Sequence, residues 1–592
     1  MLLADVAPPA TFGFWDWLVL IVYFVSCIGI GLWMSRRVRT TGSYFLGDRK
    51  FPWWIMIGMS FSSGTHAEGP VAQAGATCRD GFSAMWYQWK NMLITPFYWL
   101  MSPWYRRSER TTSAEIVEDR YGPGMGLAYT IFAIAFFVCC QGTMLLGAAK
   151  VIAVATGGNL VSQQQVIWGM AIGFVAYSFL GGMLASAYNN FIQGLLIIVL
   201  SFMLIPAGLH EVGGFHGMRE LLPAGFFSLF GAKSQMSAFA IAMLAINGLV
   251  GVCAQPHILS VNATGSSERN GRIGQTYGTL IKRLCTIGWA LTGLIVAAMI
   301  AKSGAALQHN EDAFGYACLH LLGPGFVGLL VACVLAANMA ACSTFLVNSG
   351  ALFTRNLYQP FVRPNAVDKE LLWVGRISGV ALTALGIAFA LKVKGVLDAF
   401  MFTETLAALF GVMFFGGFLW RRANRYGAAA SVVASCGVYF GGCLYISRDL
   451  ANDAAMWQQG IFSWLVHVAK TGTLLPAPWP DVVFGWTMLA GFGALALVSL
   501  LTPAESPELI ANFFDKMERS TDKEGMPDGK AKPLAAELGQ GMLMLDLGGW
   551  FTARRWRGFF QRYREDLIGF VIAWGVVGLL VLFAWSLMLI GK

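Results

Sequence analysis

The chain has 592 residues, 56% of them apolar and 12% charged, with a mean hydropathy of +0.59 and a net charge of +9. A soluble protein carries about twice that charged fraction, so the composition excludes a soluble globular domain. The eleven cysteines are scattered through apolar segments, without the spacing of a zinc site or a disulfide framework, and read as small buried residues.

Apolar runs of roughly 20 residues recur along the chain, each long enough to cross a bilayer core of about 30 Å as a helix. Helices are expected because in lipid each backbone polar group must be satisfied within its own segment. Residues 1–14 have no basic start and contain Asp5, so no cleavable signal peptide is expected there. About 14 spans are predicted, near 15–35, 52–78, 82–102, 125–155, 163–182, 185–209, 236–262, 273–300, 323–354, 371–393, 396–420, 426–446, 481–502 and 567–590. Gly181 and Gly182 form the only break between the fifth and sixth.

Basic residues alternate with these spans. Arg36, Arg37, Arg39, Arg49 and Lys50 follow the first, Arg106, Arg107, Arg110 and Arg120 the third, Arg269 and Arg272 the seventh, Arg355 and Arg363 the ninth, and Arg421, Arg422 and Arg425 the eleventh. Loops 156–162 and 303–322 carry none. The bias puts the odd-to-even loops in the cytoplasm and both termini outside. Topology thus accounts for the net charge, and no nucleic-acid partner is required. The polar stretch 503–566 reads as a cytoplasmic linker in its middle. Its end, with Trp550, Arg554, Arg555, Trp556 and Phe559, reads as an amphipathic helix on the inner leaflet or an extension of the last span.

Intramembrane polar residues at helix breaks are the best pointers to a solute path. The second span is weakened by Gly64, Gly69 and Pro70, with Thr65, His66 and Glu68 at the break. The seventh has Asn247, Gly248, Gly251, Gln255, Pro256 and His257. These breaks lie about 185 residues and five spans apart, the spacing of two five-helix halves in inverted topology, with a site between them. Gln88 and Lys90 lie in the third span, and Lys90 requires a partner, Glu68 or Glu404. Lys150 is expected to snorkel and Asp398 to sit at the outer boundary. His66 and Glu68, two apart, fall on opposite sides of a regular helix, which argues against a catalytic pair.

From Asp16 to Ala428 the sequence resembles the sodium/solute symporter family of sodium-coupled sugar and proline carriers. The resemblance rests on Tyr44 to Trp54, Arg110 to Glu115 with Arg120, Tyr177 to Gln193, Gln255-Pro-His-Ile258 (similar to the proline-carrier version) and Trp420 to Asn424 with Gly427 and Ala428. It implies an all-α polytopic membrane protein of 13 or 14 helices with a five-plus-five inverted-repeat core, here about 52–420. It also implies a sodium site of backbone carbonyls, matching Ser62 and Thr65, with side-chain oxygens from the fifth and eighth core helices. The family's Thr-Asp pair there falls on Asn189 and Asn190. Its two hydroxyls fall on Ala340 and Ala341, or on Ala341 and Cys342, with Ser343 and Thr344 immediately after.

Ser62, Thr65, Asn190, Ser343 and Thr344 are therefore the expected ion site. Glu68, Gln88, Lys90, Asn247 and Gln255 are expected to line the solute path. Val250 and Gly251 replace the sugar branch's aromatic gate, which weakens a hexose reading and leaves an organic acid, an amino acid or a modified sugar open. Lys282 matches a sugar-contacting lysine or serves as an inner-end anchor. The function implied is sodium-coupled symport of a small polar organic solute in the cell membrane, with no cofactor beyond sodium. Proton-coupled or uncoupled transport and a transporter-fold sensor are the alternatives.

Overall fold

The computed structural model describes residues 13–156, 162–230, 238–307, 309–323, 325–393, 396–451, 481–518, 543–547, 550, 556 and 558–591. Expectations for the extreme N-terminus, for the middle of the 503–566 stretch, for most of its amphipathic end and for the Asp398 side chain lie outside the described residues.

The architecture is all-helical; among the described residues the only extended pairing is an isolated bridge between Phe51 and Gly265. Helix α1 (Phe14–Ser35) is followed by the broken pair α2 (Trp53–Ser63) and α3 (Glu68–Asp80), then α4 (Thr95–Arg107), α5 (Pro123–Ala155) and α6 (Gln163–Phe202). A second broken pair, α7 (Ala238–Ala254) and α8 (Ile258–Ala263), precedes α9 (Glu268–Ser303), α10 (Phe326–Leu352), α11 (Asp368–Ala390), α12 (Val396–Leu419) and α13 (Arg425–Ala451). The chain closes with α14 (Asp481–Leu501), α15 (Pro507–Glu518) and α16 (Arg564–Leu587). Eight helices among the described residues are long and apolar enough to cross a membrane alone, with two shorter apolar ones besides. The expected count of about 14 rests on treating broken and kinked segments as spans of their own.

Burial separates centre from periphery. The most apolar windows of α9 and α10 are 83% and 89% buried, whereas those of α1 and α16 are 22% and 28% buried and turn Trp, Ile and Leu side chains outward. Helix α6 is two helices joined at Gly182, whose backbone (φ 51, ψ −143) only glycine adopts readily. A Cβ there would stand 2.4 Å from the Tyr44 ring, so the expected break between the fifth and sixth spans is real and closely packed.

The third expected span is corrected. Residues 82–92 form short turns, and a regular helix begins only at Thr95. Gly81 turns the chain with φ +84, and Pro96, which has no N–H, is accommodated where α4 starts. The beginning of the 503–566 stretch is corrected too: α15 buries Phe513, Phe514 and Met517 instead of running as linker.

The basic loops share one end of the molecule. Arg49 donates to the Arg110 carbonyl, Arg107 pairs with Glu268 at 3.0 Å, and Arg120 donates to the carbonyls of Gly417 and Ala423 at 2.9 Å. Arg421 reaches Glu518 and Asp546, and Arg425 reaches Glu505. At the opposite end Lys150 pairs with Glu311 and Lys302 with Glu211. Asp16 there accepts from the Gly325 amide at 2.9 Å.

Candidate functional site

The two interrupted helices face one cavity and satisfy their freed backbone groups differently. Helix α2 stops at Gly64, and α3 resumes at Glu68. Pro70 falls in the first turn of α3, where backbone N–H groups lack helical partners anyway, so it costs no helical bond. The Ala67 amide donates instead to Asn338 Oδ1 at 2.8 Å, and Asn338 Nδ2 donates to the Met144 carbonyl. On the carbonyl side, His66 Nε2 lies 3.0 Å from the Ser63 oxygen, and Lys282 Nζ donates to the Gly64 oxygen. In the second break hydroxyls take this role. Tyr105 donates to the Cys253 carbonyl at 2.9 Å, Tyr129 to Ala254 at 2.6 Å, and Ser113 to Pro256 at 3.3 Å. The carbonyls of the first break are thus held by His66 and Lys282, and those of the second by hydroxyls.

His66 and Glu68 are not on opposite sides. The unwinding at 64–67 removes the helical geometry on which that expectation rested, and His66 Nδ1 hydrogen-bonds Glu68 Oε1. Glu68 Oε2 is buried without a hydrogen-bond partner. Leaving such an atom unsatisfied costs about 1–3 kcal/mol, which favours a ligand or water at that spot.

The free space within the cavity is ≈ 130 Å³. Its polar wall includes His66, Glu68, Gln255, Lys282, Arg283 and Glu404. An aromatic wall faces it, with the His257 ring between Phe136 (centroids 6.2 Å) and Phe345 (5.0 Å). Sequence reasoning found no aromatic at Val250 and Gly251; the rings come from α5 and α10 instead.

Of the expected solute residues, Glu68 and Gln255 line the cavity. Lys90 stands one layer behind and pairs with Glu404 at 2.8 Å, which settles its partner. Asn91 Nδ2 also donates to Glu404, at 2.9 Å. Gln88 and Asn247 are buried outside the lining, each with a side-chain oxygen lacking a partner. The Gln88 carbonyl accepts from Arg283 at 3.0 Å. Counting the lining charges of the described residues with Lys90, three cations (Lys90, Lys282, Arg283) face two carboxylates (Glu68, Glu404), so one positive charge is left over among them. Lys282, which also read as an inner-end anchor, sits in the cavity wall.

The expected ion residues divide. Asn190, Ser343 and Thr344 converge on the Ala340 carbonyl. Ser343 donates to it at 2.9 Å, and Thr344 Oγ1 lies 3.1 Å from it. The Asn190 amide orientation that satisfies both its ends accepts from Thr344 Oγ1 at 3.0 Å and donates to the carbonyls of Ala340 (3.1 Å) and Ser186 (2.9 Å). Ala340 and Ala341 contribute no side-chain oxygen. At the break, Ser62 Oγ turns back to the Gly58 carbonyl at 2.7 Å, and its own carbonyl accepts from the Thr65 amide at 3.2 Å. Thr65 Oγ1 is fully buried without a partner. Asn338 escaped sequence reasoning, although an asparagine in the middle of the apolar run Phe326–Leu352 is the kind of polar group that must find a buried partner.

The chain has recognisable relatives. It is 23% identical over 459 residues to the sodium/glucose cotransporter of Vibrio parahaemolyticus, a match covering 71% of this chain and 84% of that protein. It is 26% identical over 435 residues to the sodium/proline symporter of Escherichia coli (strain K12), covering 70% and 84%. In fold it matches the substrate-bound, outward-open structure of a sodium-coupled sialic acid symporter, with a TM-score of 0.67 at 16% identity, over 84% of this chain and 99% of that one. The family model for the sodium:solute symporter family matches residues 44–434, most of the chain and both breaks. This chain therefore belongs to the sodium:solute symporter family, integral membrane transporters of small solutes.

Proposed function

We propose that the cavity between the two breaks carries a small carboxylate-bearing solute, an amino acid or organic acid, by sodium-driven alternating access. The observation that carries this reading is the charge arrangement at the first break. Lys282 offers an ammonium with donors to spare beyond the Gly64 carbonyl, and Glu68 Oε2 is an unused acceptor in the same wall. A carboxylate on Lys282 would neutralise the residual positive charge, and an amino or hydroxyl group on the same solute would satisfy Glu68. Gln255 supplies a further polar contact. Gln88, Lys90 and Asn247 act from behind, Lys90 by holding the Glu404 carboxyl group in place.

Sodium would sit between the first break and α10, taking oxygens from Ser62, Thr65, Asn190, Ser343 and Thr344. The unpartnered Thr65 hydroxyl supports this placement. The core about 52–420 is the transport unit in this reading, and the clustered basic loops support an orientation with its Arg-rich end in the cytoplasm and both termini outside.

Thermal stability of the purified chain, across amino acids, organic acids and neutral sugars in sodium or choline, tests the reading, because a ligand stabilises the fold that binds it. Carboxylate-bearing solutes should stabilise, more so in sodium. Lys282→Met should weaken their binding about 10- to 100-fold, the scale of a lost charge-assisted hydrogen bond, and leave the sodium shift intact. Neutral sugars stabilising wild type and Lys282→Met alike would reject the solute class. The contact between His66 and Glu68 favours a second reading, in which a proton replaces sodium; solute shifts equal in sodium and choline but dependent on pH would select it.

A further inference from the structure

A cleft at the Arg-rich end, whose lining shares no residue with the solute cavity, has the make-up of a lipid site. It lies where α4, the start of α9 and the start of α16 meet, and encloses ≈ 1050 Å³ including its open side. Gly569 lets α16 lie directly on Trp99: a Cβ there would stand 2.0 Å from the indole. Trp99 Nε1 donates to the Glu565 carbonyl at 3.2 Å, and Arg272 pairs with Asp566, so the floor is fixed and internally neutral.

The rim is charged and the wall is not. Among the described residues, the guanidinium groups of Arg269, Arg562 and Arg564 stand around the mouth with the carboxylate of Glu565. From the rim the cleft runs along the apolar, outward-facing flank of α16. Ile568 and Ile572 are each about half exposed there, with Ile273 opposite them on α9. A soluble anion would use the rim and leave the isoleucines bare. An amphiphile with an anionic head and acyl tails uses both, and basic pockets between spans on the cytoplasmic side recognise such lipids.

We propose that this cleft binds one anionic phospholipid, its phosphate among Arg269, Arg562 and Arg564 and an acyl chain against Ile273, Ile568 and Ile572. The lipid would clamp α16 to the core.

Native mass spectrometry of the full chain in detergent, with equimolar dioleoyl phosphatidylglycerol and dioleoyl phosphatidylcholine, tests this. The wild type should retain phosphatidylglycerol several-fold over phosphatidylcholine. Each arginine should contribute up to about five-fold. Arg269→Gln should therefore lower the preference, and the triple change Arg269→Gln, Arg562→Gln and Arg564→Gln should abolish it, with an unchanged thermal transition in phosphatidylcholine micelles as the check on folding. Should the triple variant not fold, Arg269→Gln alone decides. Inorganic phosphate at millimolar concentration should not displace the lipid. Equal retention of the two lipids by the wild type, a preference unmoved by Arg269→Gln, or displacement by phosphate alone would overturn the proposal.

Discussion

At Asn190 a neutral amide stands where the resemblance expects a carboxylate, and its neighbours have adapted to it. The amide donates to the carbonyls of Ala340 and Ser186 and accepts from Thr344, a self-contained set that needs no cation to be satisfied. Asn190→Asp should reverse this. Both donors disappear, two carbonyls face a carboxylate, and the site becomes stable only with a cation present. The expected result is a loss of about 1–3 kcal/mol per orphaned group in choline, and sodium binding roughly tenfold tighter than in the wild type, because charge-assisted contacts are about twice as strong as neutral ones. Melting curves in sodium and choline check it; identical curves in the two cations would remove this position from the ion site. Several side chains that matter here were legible as types but not as partners. Lys90 demanded a carboxylate, and geometry selected Glu404 over Glu68. The meeting of His66 with Glu68 was not legible, because its cause is the local unwinding, whose shape no periodicity rule supplies.

At the scale of elements, the interruptions carry the design. The two breaks and the Gly182 kink were legible because glycine and proline weaken a helix wherever they stand in an apolar run. The turns at 82–92 were not: Trp86, Trp89 and Met92 are as buried as the apolar residues of a regular span while the backbone alternates short 3-10 and α turns, and hydropathy does not see that irregularity. Gly182→Ala tests how firmly the kink is fixed. Alanine must adopt a backbone region costing about 1–3 kcal/mol and place its Cβ against the Tyr44 ring and carbonyl. The expected outcome is a loss of about 3 kcal/mol or more, read as a lower melting temperature or failed insertion; wild-type stability would mean that α6 can straighten. Helix α15, unannounced by the sequence, is held by the pair of Arg425 with Glu505 and by Arg120 over Phe513 and Phe514. The Arg425 guanidinium holds the Glu505 carboxyl below the usual carboxylate range. A depressed folded value stabilises above the unfolded value of about 4.3 and ceases to do so as pH falls through the folded one. Docking of α15 should thus be constant from about pH 5 to 8 and weaken only in stronger acid. Glu505→Gln should reproduce that weakening at neutral pH, as faster proteolysis of α15; a transition near pH 6 would point to another group.

For the whole molecule, the proposed orientation in the membrane rests on where the cations went. The chain places its arginine-rich loops at one end, and the structure binds them there to one another's carbonyls and carboxylates: Arg49 to loop 108–112, Arg120 to the end of α12, Arg421 and Arg425 to the segment around α15. Such a network assembles only if those loops remain on one side during insertion, which is the condition that the positive-inside bias enforces. The two ends can be told apart chemically. Lys369, exposed at the start of α11, belongs to the arginine-rich end, and Ser303, exposed at the end of α9, to the opposite one. Most native cysteines are buried, so an impermeant thiol reagent should report chiefly on an introduced one. In intact cells Ser303→Cys should label and Lys369→Cys should not, with the pattern reversed in inside-out vesicles. The opposite result would invert the protein, put the cleft of Arg269, Arg562 and Arg564 against the outer leaflet, and require the solute path to be read in the other direction. The two labels therefore decide the sidedness on which both the sodium gradient and the proposed lipid contact depend.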